Sequence, residues 1–354
     1  MGLEVTGAYR YPPLDAAWLA GLVEPVIDAE LPIIDAHHHL WTQPESHYLL
    51  EEFAADLADG HRVVATVFIQ SHYGHHMTGA AHFAPVGETE KIAAIADSVQ
   101  ASGLPTQIAA GIVANADLTL GDRLDAVLDA HEAAANTRLR GIRHSVSHDR
   151  NFPNGIVYRP APPGLLGDRQ YRAGLARLAA RGLRYDAMLY HAQLAELAAM
   201  ARSIPDLTIV LDHMGCIIGV GPYRGCEAET FRHWRSAMAE LARCPNVIVK
   251  IGGLGMIICG ASWHDRPMPP TSADLARAWR PLVETCIEIF GADRCMFESN
   301  FPVDKAMYSY RTLWNTFKLL ACGVSDHERA ALFSGTAART YRILTPASVD
   351  LLHV

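Results

Sequence analysis

The feature of this chain that most constrains its fold is the alternation of short apolar runs with helix-forming runs. Apolar, β-branched runs such as 62–70 and 207–213 alternate with helical runs such as 88–101 and 194–203. Continuous apolar strands separated by helices are typical of a parallel sheet whose two faces are both covered. About eight such units follow one another along the chain, which predicts a (β/α)8 TIM barrel, with a doubly wound sheet as the alternative.

The length and the composition are those of a single folded domain. The chain has 354 residues, of which 50% are hydrophobic and 19% are charged, so a large core can form and extensive disorder is not expected. We therefore predict one barrel domain over residues 31–345. A tail with a lead-in helix over 1–30 precedes it, and a C-terminal tail over 346–354 follows it.

Charge and hydropathy exclude several classes of partner. The formal net charge is -8, which argues against nucleic acid as a partner, because proteins that bind it carry basic surfaces. No apolar run has the roughly 20 residues that a membrane-spanning helix needs, and residues 1–11 lack the pattern of a signal peptide. We expect a cytoplasmic homo-oligomer that acts on a small molecule.

Three consecutive histidines lie at the end of the first predicted strand. Side chains alternate between the two faces of a strand, so His37 and His39 should point to one side and His38 to the other. Two imidazoles on one face can hold a divalent metal ion or polarise a carbonyl group. The alternative is a histidine-rich turn without a chemical role. Because active sites of such barrels lie at the carboxyl ends of the strands, the position favours the catalytic interpretation.

Polar residues recur at the same ends of the other predicted strands. They are His72 and His75 after the second strand, Arg143 and His144 after the fourth, Tyr190 and His191 after the fifth, Asp212 and His213 after the sixth, Lys250 in the seventh, and Glu298, Asn300 and Asp304 after the eighth. Any one of them alone is compatible with an ordinary buried or solvated side chain. Their recurrence at one end of successive strands predicts that they surround an active site.

Four segments resemble the amidohydrolase superfamily, and more narrowly its amidohydrolase-related branch, which includes L-fuconolactonase, 2-pyrone-4,6-dicarboxylate lactonase and sulfomuconolactone hydrolase. The segments are 35–41, 141–144, 211–215 and 296–304, and the resemblance extends over roughly residues 31 to 345. It implies a (β/α)8 barrel that opens an ester or lactone ring with water.

The resemblance also implies roles for three histidines. His37 and His39 match the first-strand pair that binds metal or contacts the substrate carbonyl. His213 matches the sixth-strand histidine of the family. Together the three would hold one divalent metal ion, zinc or manganese, or would act without a metal.

The same resemblance suggests residues that bind the substrate. Arg143 matches a position where lactonase relatives place arginine against a substrate carboxylate, and His191 is the candidate for the fifth-strand histidine unless it lies in the following loop. Lys250 is expected to position an anionic substrate or to polarise a carbonyl. The other residues expected to line the pocket are Trp41, His72, His75, His144 and Tyr190.

The chain departs from the family pattern at the eighth strand. The family's Ser-Asp-Trp-Pro or Ser-Asp-Tyr-Pro contains an aspartate that binds metal and takes the proton from water, and here Asn300 occupies that position. An amide cannot act as a general base and is a poor replacement for an anionic ligand. We slightly prefer Asp304 as the replacement, with Glu298 or a histidine as alternatives. The structural alternative for Asp304 is that it caps the following helix.

The sequence predicts a hydrolase that opens a lactone of a small, acidic or sugar-derived metabolite. The alternative enzyme is a metal-dependent, non-oxidative decarboxylase of an aromatic or unsaturated acid, and Asn300 counts against it. The alternative outside enzymes is a catalytically inactive barrel that acts as a binding protein. The sequence specifies neither the substrate nor the metal.

Overall fold

The structure is a computed structural model, and it describes residues 12–43, 46–152 and 160–344. Within these residues, eight strands form one sheet whose order follows the chain. The strands are β1 (Ile33–His38), β2 (Val63–Ile69), β3 (Gln107–Ala114), β4 (Leu139–Arg143), β5 (Arg184–Ala187), β6 (Ile209–Leu211), β7 (Val247–Ile251) and β8 (Cys295–Phe297). All neighbouring strands pair in parallel. This order confirms the predicted barrel, because a doubly wound sheet reverses its strand order at a switch point.

The barrel is nearly closed between β1 and the residues after β8. His38 forms an isolated parallel bridge with Phe301, and the amide of His39 donates to the carbonyl of Phe301 at 2.8 Å. The carboxylate of Asp35 accepts a hydrogen bond from the amide of Ser299 at 2.9 Å. The first and last strands are therefore joined by backbone and side-chain hydrogen bonds.

Helices surround the sheet, one after each strand. They are α1 (Leu50–Leu57), α2 (Val86–Ser102), α3 (Asp125–Ala134), α4 (Arg169–Ala180), α5 (Leu194–Ser203), α6 (Glu227–Leu241), α7 (Ser272–Phe290) and α8 (Tyr310–Leu320), followed by α9 (Asp326–Ala330), a π-helical segment (Ala331–Gly335) and α10 (Thr336–Tyr341). The short strands Trp41–Gln43 and Ser46–Tyr48 pair antiparallel beside the barrel. In the part of the chain that the structure describes, no helix combines the length and the apolar character needed to cross a bilayer.

Hydroxyl side chains determine where two of these helices begin. Thr271 caps α7 and Ser309 caps α8, and in each case the side-chain oxygen accepts from an amide of the first turn at 3.1 Å. Such a cap stabilises a helix by about 1 kcal/mol. The alternative role of Asp304 as a helix cap is therefore wrong, because α8 begins only at Tyr310. The lead-in helix expected before β1 is a single turn, Ala16–Leu19.

The amino ends of the strands enclose an apolar cluster. Ile34, Val210 and Met296 from β1, β6 and β8 pack there with Tyr341 and Ile343. All five are at most 3% exposed. The last helix, α10, and the residues after it therefore close the amino end of the barrel.

The interior becomes charged toward the carboxyl ends of the strands. Asp186 on β5 and Lys250 on β7 are fully buried, as are Asp212 and Glu298, which directly follow β6 and β8. Ionised groups are stable in such an interior only when they pair with one another. The fold thus concentrates its buried charges at the end of the barrel where the sequence predicts an active site.

Candidate active site

The two histidines predicted to share a face of β1 meet inside the barrel. The Nε2 atoms of His37 and His39 are 3.1 Å apart, and both side chains are buried. His38 points away from them, and its ring stacks on Phe53 of α1 with ring centroids 4.2 Å apart. Its Nε2 lies 2.9 Å from Oγ1 of Thr66. The predicted alternation of the three imidazoles is confirmed.

Glu298, directly after β8, joins two histidines from different strands. Its Oε2 lies 2.8 Å from Nδ1 of His37, and its Oε1 lies 2.7 Å from Nδ1 of His213. Oε1 also accepts a hydrogen bond from the backbone amide of His213 at 3.2 Å. Because the carboxylate is fully buried, these contacts act in a low-dielectric interior where charge–charge interactions are strong.

These contacts determine which of the groups are charged. Burial alone would raise the pKa of Glu298, but His213 and His37 hold that pKa at about 2. Burial alone would lower the pKa of His213, yet the charge and the hydrogen bond of Glu298 raise it above its ordinary value. Burial and the Lys250 ammonium lower the pKa of His37 to about 4. At neutral pH an ionised Glu298 therefore lies beside a neutral His37.

Two glycines after β7 leave the space that Glu298 and His213 occupy. A Cβ atom at Gly252 would lie 2.4 Å from Cγ of Glu298, and one at Gly253 would lie 2.6 Å from the ring of His213. Gly253 also has a φ of +66°, which residues with side chains rarely adopt. The glycine-rich segment after Lys250 is therefore explained by close packing against the site.

Lys250 supplies a buried positive charge beside His37. Its Nζ lies 2.7 Å from Oδ2 of Asp186, 3.1 Å from Oδ1 of Asp212 and 3.3 Å from Nδ1 of His37. Burial would lower the pKa of Lys250, but the neighbouring carboxylates raise it above its ordinary value. The ammonium therefore remains charged and is shared between two acids.

Arg143, at the end of β4, brings a second positive charge to this cluster. Its Nη2 donates to the carbonyl of Gln70 at 2.5 Å. Its Nη1 lies 3.3 Å from Nε2 of His37 and 3.5 Å from Oδ2 of Asp212. Whereas Lys250 is completely buried, Arg143 is 8% exposed. The structure brings Arg143 to the predicted site, and its binding of a substrate carboxylate stays a prediction.

Asp304 is held by three hydrogen bonds from residues other than the histidines. Its Oδ1 accepts from Nδ2 of Asn300 at 2.9 Å, and its Oδ2 accepts from the amide of Gly255 at 2.9 Å and from the hydroxyl of Tyr308 at 2.6 Å. Oδ2 therefore ties the loop after β7 to the residues after β8. The preference for Asp304 as the replacement acid stays a prediction, and Glu298 is the alternative whose oxygens lie within 2.8 Å of histidine nitrogens.

The structure does not bring His144 and His191 into the cluster. Nδ1 of His144 accepts from the amide of Leu118 at 3.1 Å, and its ring packs against Tyr171 of α4 with centroids 5.2 Å apart. Nδ1 of His191 accepts from the amide of Ile218 at 3.2 Å. Both imidazoles therefore stabilise loops and the helical layer, and neither takes the position predicted for it.

The other residues expected to line the pocket follow β1, β2 and β5. Trp41 stacks on His39 with ring centroids 5.7 Å apart. His72 and His75 lie on the loop after β2 with their rings 5.3 Å apart, and Tyr190 is buried in the segment after β5. Trp41 thus lies next to the histidine cluster, with its ring stacked on that of His39.

Two further acids complete the cluster: Asp212, which the sequence analysis places at the end of the sixth strand without a role, and Asp186, which it does not name. Asp186 and Asp212 are both 0% exposed. The fifth strand, which the sequence analysis ends next to Tyr190 and His191, stops at Ala187. Asp186 could have been found from the sequence as an acid within an apolar strand. A buried carboxylate needs a partner, so such an acid indicates a buried cation nearby.

The hydrogen bonds of the β1 histidines determine where their lone pairs point. Nδ1 of His39 lies 2.7 Å from the carbonyl of Ile69, so this nitrogen carries the proton and Nε2 has the lone pair. Nε2 of His37 lies 3.3 Å from Nη1 of Arg143, and because a guanidinium only donates, this nitrogen has a lone pair as well. Two lone pairs 3.1 Å apart repel each other unless a proton or a cation lies near both.

One group of side chains in the described residues can hold a metal ion. His37, Asp212 and His213 offer ligand atoms that all lie within 4.8 Å of one another. Imidazole nitrogen and carboxylate oxygen are suitable ligands for zinc or manganese. The residues present therefore fit one divalent ion, with Asp212 where the prediction has His39. Lys250 already neutralises part of the charge of Asp212, which weakens its attraction for a metal.

Comparison with known proteins supports the family resemblance. A family model described as Amidohydrolase matches residues 34–343. A protein of Sinorhizobium fredii, described as uncharacterized protein y4mH, is 36% identical over 337 residues, which are 89% of this chain and 100% of that protein. An L-fucono-1,5-lactonase of Burkholderia multivorans is 30% identical over 222 residues, which are 61% of this chain and 67% of that enzyme.

Solved structures share the barrel at lower identity. An amidohydrolase from Burkholderia multivorans with bound zinc has a TM-score of 0.66 and 23% identity, over 88% of this chain and 99% of that chain. A 5-carboxyvanillate decarboxylase from Novosphingobium aromaticivorans, complexed with manganese, has a TM-score of 0.55 and 13% identity, over 89% of this chain and 97% of that chain. At these identities the likeness shows the fold alone.

We expect the substitution Lys250→Met to lower the free energy of unfolding by about 3–5 kcal/mol, because it leaves two buried carboxylates without their cation. The loss should decrease as the pH falls, since protonation removes the charges of Asp186 and Asp212. Urea denaturation at neutral and acidic pH measures both effects. The matched control is Arg280→Met, which breaks the exposed pair with Glu284 and should cost less than about 0.5 kcal/mol. Equal losses in the two variants would contradict the expectation.

Proposed function

The chain belongs to the amidohydrolase family, and from that premise we propose that it hydrolyses the ring ester of a small lactone. One observation carries the proposal: Oε1 of the buried Glu298 lies 2.7 Å from Nδ1 of His213. A carboxylate that holds the Nδ1–H of an imidazole leaves Nε2 as the proton acceptor and stabilises the imidazolium that forms. Glu298 and His213 therefore form a pair suited to activating a water molecule.

The relatives support a lactone as the substrate. The L-fucono-1,5-lactonase of Burkholderia multivorans aligns with 61% of this chain. A sugar-derived or acidic lactone would also suit Arg143, whose side chain is 10% exposed and whose guanidinium can bind an anionic group or a carbonyl oxygen. We therefore propose a small, acidic or sugar-derived lactone.

The reaction begins with a proton transfer. Nε2 of His213 takes a proton from water while the water oxygen bonds to the carbonyl carbon, and Glu298 stabilises the resulting imidazolium. Arg143 supplies positive charge to the oxyanion of the tetrahedral intermediate. The ring C–O bond then breaks, and His213 returns the proton to the departing alkoxide. The product is one hydroxy acid, which releases a proton at neutral pH.

A divalent metal ion would be held by His37, Asp212 and His213, whose ligand atoms converge. Such an ion would polarise the substrate carbonyl. We propose that the reaction does not require it, because Lys250 and Arg143 already place two positive charges next to Asp212. An ion and a proton would also compete for the same lone pair on Nε2 of His213.

Acid release from a panel of sugar lactones, muconolactones and pyrone carboxylates tests the proposed activity. The wild-type chain should hydrolyse at least one of them, and His213→Gln should lower kcat/KM by at least roughly 100-fold, the usual contribution of a general base. His144→Gln is the matched control, since its ring lies against α4, and it should retain activity. No hydrolysis across the panel, with carbon dioxide released from an aromatic acid, would favour the decarboxylase instead.

The pH dependence of kcat/KM should report His213. Its base form exists only above its pKa, which Glu298 raises above the ordinary 6.5, so the rate should rise with pH through that raised value and then level off. In Glu298→Gln the negative charge that raises the pKa of His213 is absent, so burial lowers that pKa. The inflection should therefore move to lower pH, while the plateau falls by roughly 10- to 100-fold. An inflection that stays in place would refute the pairing of Glu298 with His213.

The role of a metal can be decided by chelation. Protein stripped with a chelator should keep its activity, and added zinc should inhibit it by occupying Nε2 of His213. Calorimetric titration should detect this zinc in the wild-type chain and weaker binding in Asp212→Asn. Loss of activity on chelation and its recovery with zinc would show that the ion is required.

A further inference from the structure

A buried chain of contacts leads from the charged cluster to the opposite end of the barrel. Oδ2 of Asp186 accepts hydrogen bonds from Nζ of Lys250 at 2.7 Å and from the hydroxyl of Tyr341 at 2.7 Å. None of the three side chains is exposed. Tyr341 is the last residue of α10 and belongs to the apolar cluster at the amino end.

We propose that Tyr341 is a positioning residue for the reaction, acting through Asp186 on Lys250. The hydroxyl fixes the carboxylate, and the carboxylate fixes the ammonium where it contacts both Asp212 and His37. The catalytic part of this inference rests on the proposed function. The positioning itself is a property of the folded chain and can be measured without a substrate.

The surroundings of Tyr341 indicate that its hydroxyl does more than fill space. The side chains around it are aliphatic, and they include Ile34, Val67 and Met296. A buried hydroxyl in such surroundings is unfavourable unless it is hydrogen-bonded. Phenylalanine or leucine would close the barrel without that requirement. The bond to Asp186 is the contact that makes a tyrosine suitable at this position.

The hydrogen bonds of Asp186 explain how the hydroxyl of Tyr341 can affect the position of the Lys250 ammonium. Oδ1 of Asp186 has no hydrogen-bond partner among the residues that the structure describes, so Oδ2 receives both donors. Without the hydroxyl, the ammonium would be the single remaining donor to this buried carboxylate. Lys250 would then be drawn toward Asp186 and away from Asp212, because the uncompensated charge attracts it more strongly.

The substitution Tyr341→Phe tests the proposal, because it removes the hydroxyl and retains the ring that lies 5.4 Å from Nζ of Lys250. We expect kcat to fall about tenfold, as for one lost hydrogen bond to a charged group, with KM changed less than about twofold. The matched control is Tyr171→Phe, which removes a buried hydroxyl bonded to the carbonyl of His144 at 2.9 Å. Its kcat should stay within about twofold of wild type. Equal kcat in both variants and the wild type would overturn the catalytic part.

A double-mutant cycle tests whether Tyr341 acts through Asp186. If it does, Tyr341→Phe should have little further effect on kcat in an Asp186→Asn background, because the link to Lys250 is already broken. Independent, additive losses would show that the hydroxyl acts by another route.

Nuclear magnetic resonance of the histidine rings keeps the inference separate from the proposed activity. In Tyr341→Phe the imidazole nitrogen signals of His37 should shift, because the neighbouring ammonium moves. Those of His131, which is bonded to Thr89 and to the carbonyl of Asn115, should not. Unchanged His37 signals would overturn the positioning role even if the wild type is an active lactonase. Shifted signals in a chain that hydrolyses no lactone would refute the activity and leave the positioning role established.

Discussion

The structure of this site depends on one buried cation, the ammonium of Lys250. Moving an ion of this kind out of water costs several kcal/mol, and only close opposite charges offset that cost. Asp186 and Asp212 provide those charges from two neighbouring strands, at 2.7 and 3.1 Å. The register of β5, β6 and β7 is therefore coupled to the position of one side chain. A slip of one residue in any of them would turn an acid or the lysine toward the helices.

The two ends of the barrel differ in polarity, and the ion pairs of Lys250 lie between them. The amino end is apolar and closed, and Tyr341 is the residue whose hydroxyl connects it with the charged half. At the other end, Glu298 and His213 approach each other closely because Gly252 and Gly253 have no side chains. The charged groups are thus fixed at the amino end of the barrel by the apolar cluster around α10. On another side they are fixed by the closely packed loop after β7. Rigid placement of this kind is what an electrostatically catalysed reaction requires, because the charges need not reorganise as it proceeds.

The sequence predicts the barrel and part of the site, and the limits of that prediction are physical. Strand periodicity alone establishes that His37 and His39 share a face, and the motif places Arg143 near them. The same periodicity implies that the residue after Arg143 faces the opposite way, so His144 packs on the helical layer. Asp186 is missed because the sequence analysis takes Tyr190 and His191 as the polar residues at the end of the fifth strand, whereas that strand ends at Ala187. No local pattern reveals the contact of Asp304 with Gly255, since Gly255 lies in the loop after β7.

Asn300, at the position where the family has an aspartate, has a different interpretation from the sequence alone than from the structure. Read alone, an amide at this position suggests a barrel that has lost its base. In the structure, Nδ2 of Asn300 donates to Oδ1 of Asp304 at 2.9 Å. An aspartate at 300 would instead set two buried carboxylates against each other, which costs free energy unless one is protonated. Asn300 is therefore compatible with Asp304 in a way that the family's aspartate is not. Among the described residues, Glu298, two residues earlier, is the carboxylate with oxygens within 2.8 Å of both His37 and His213.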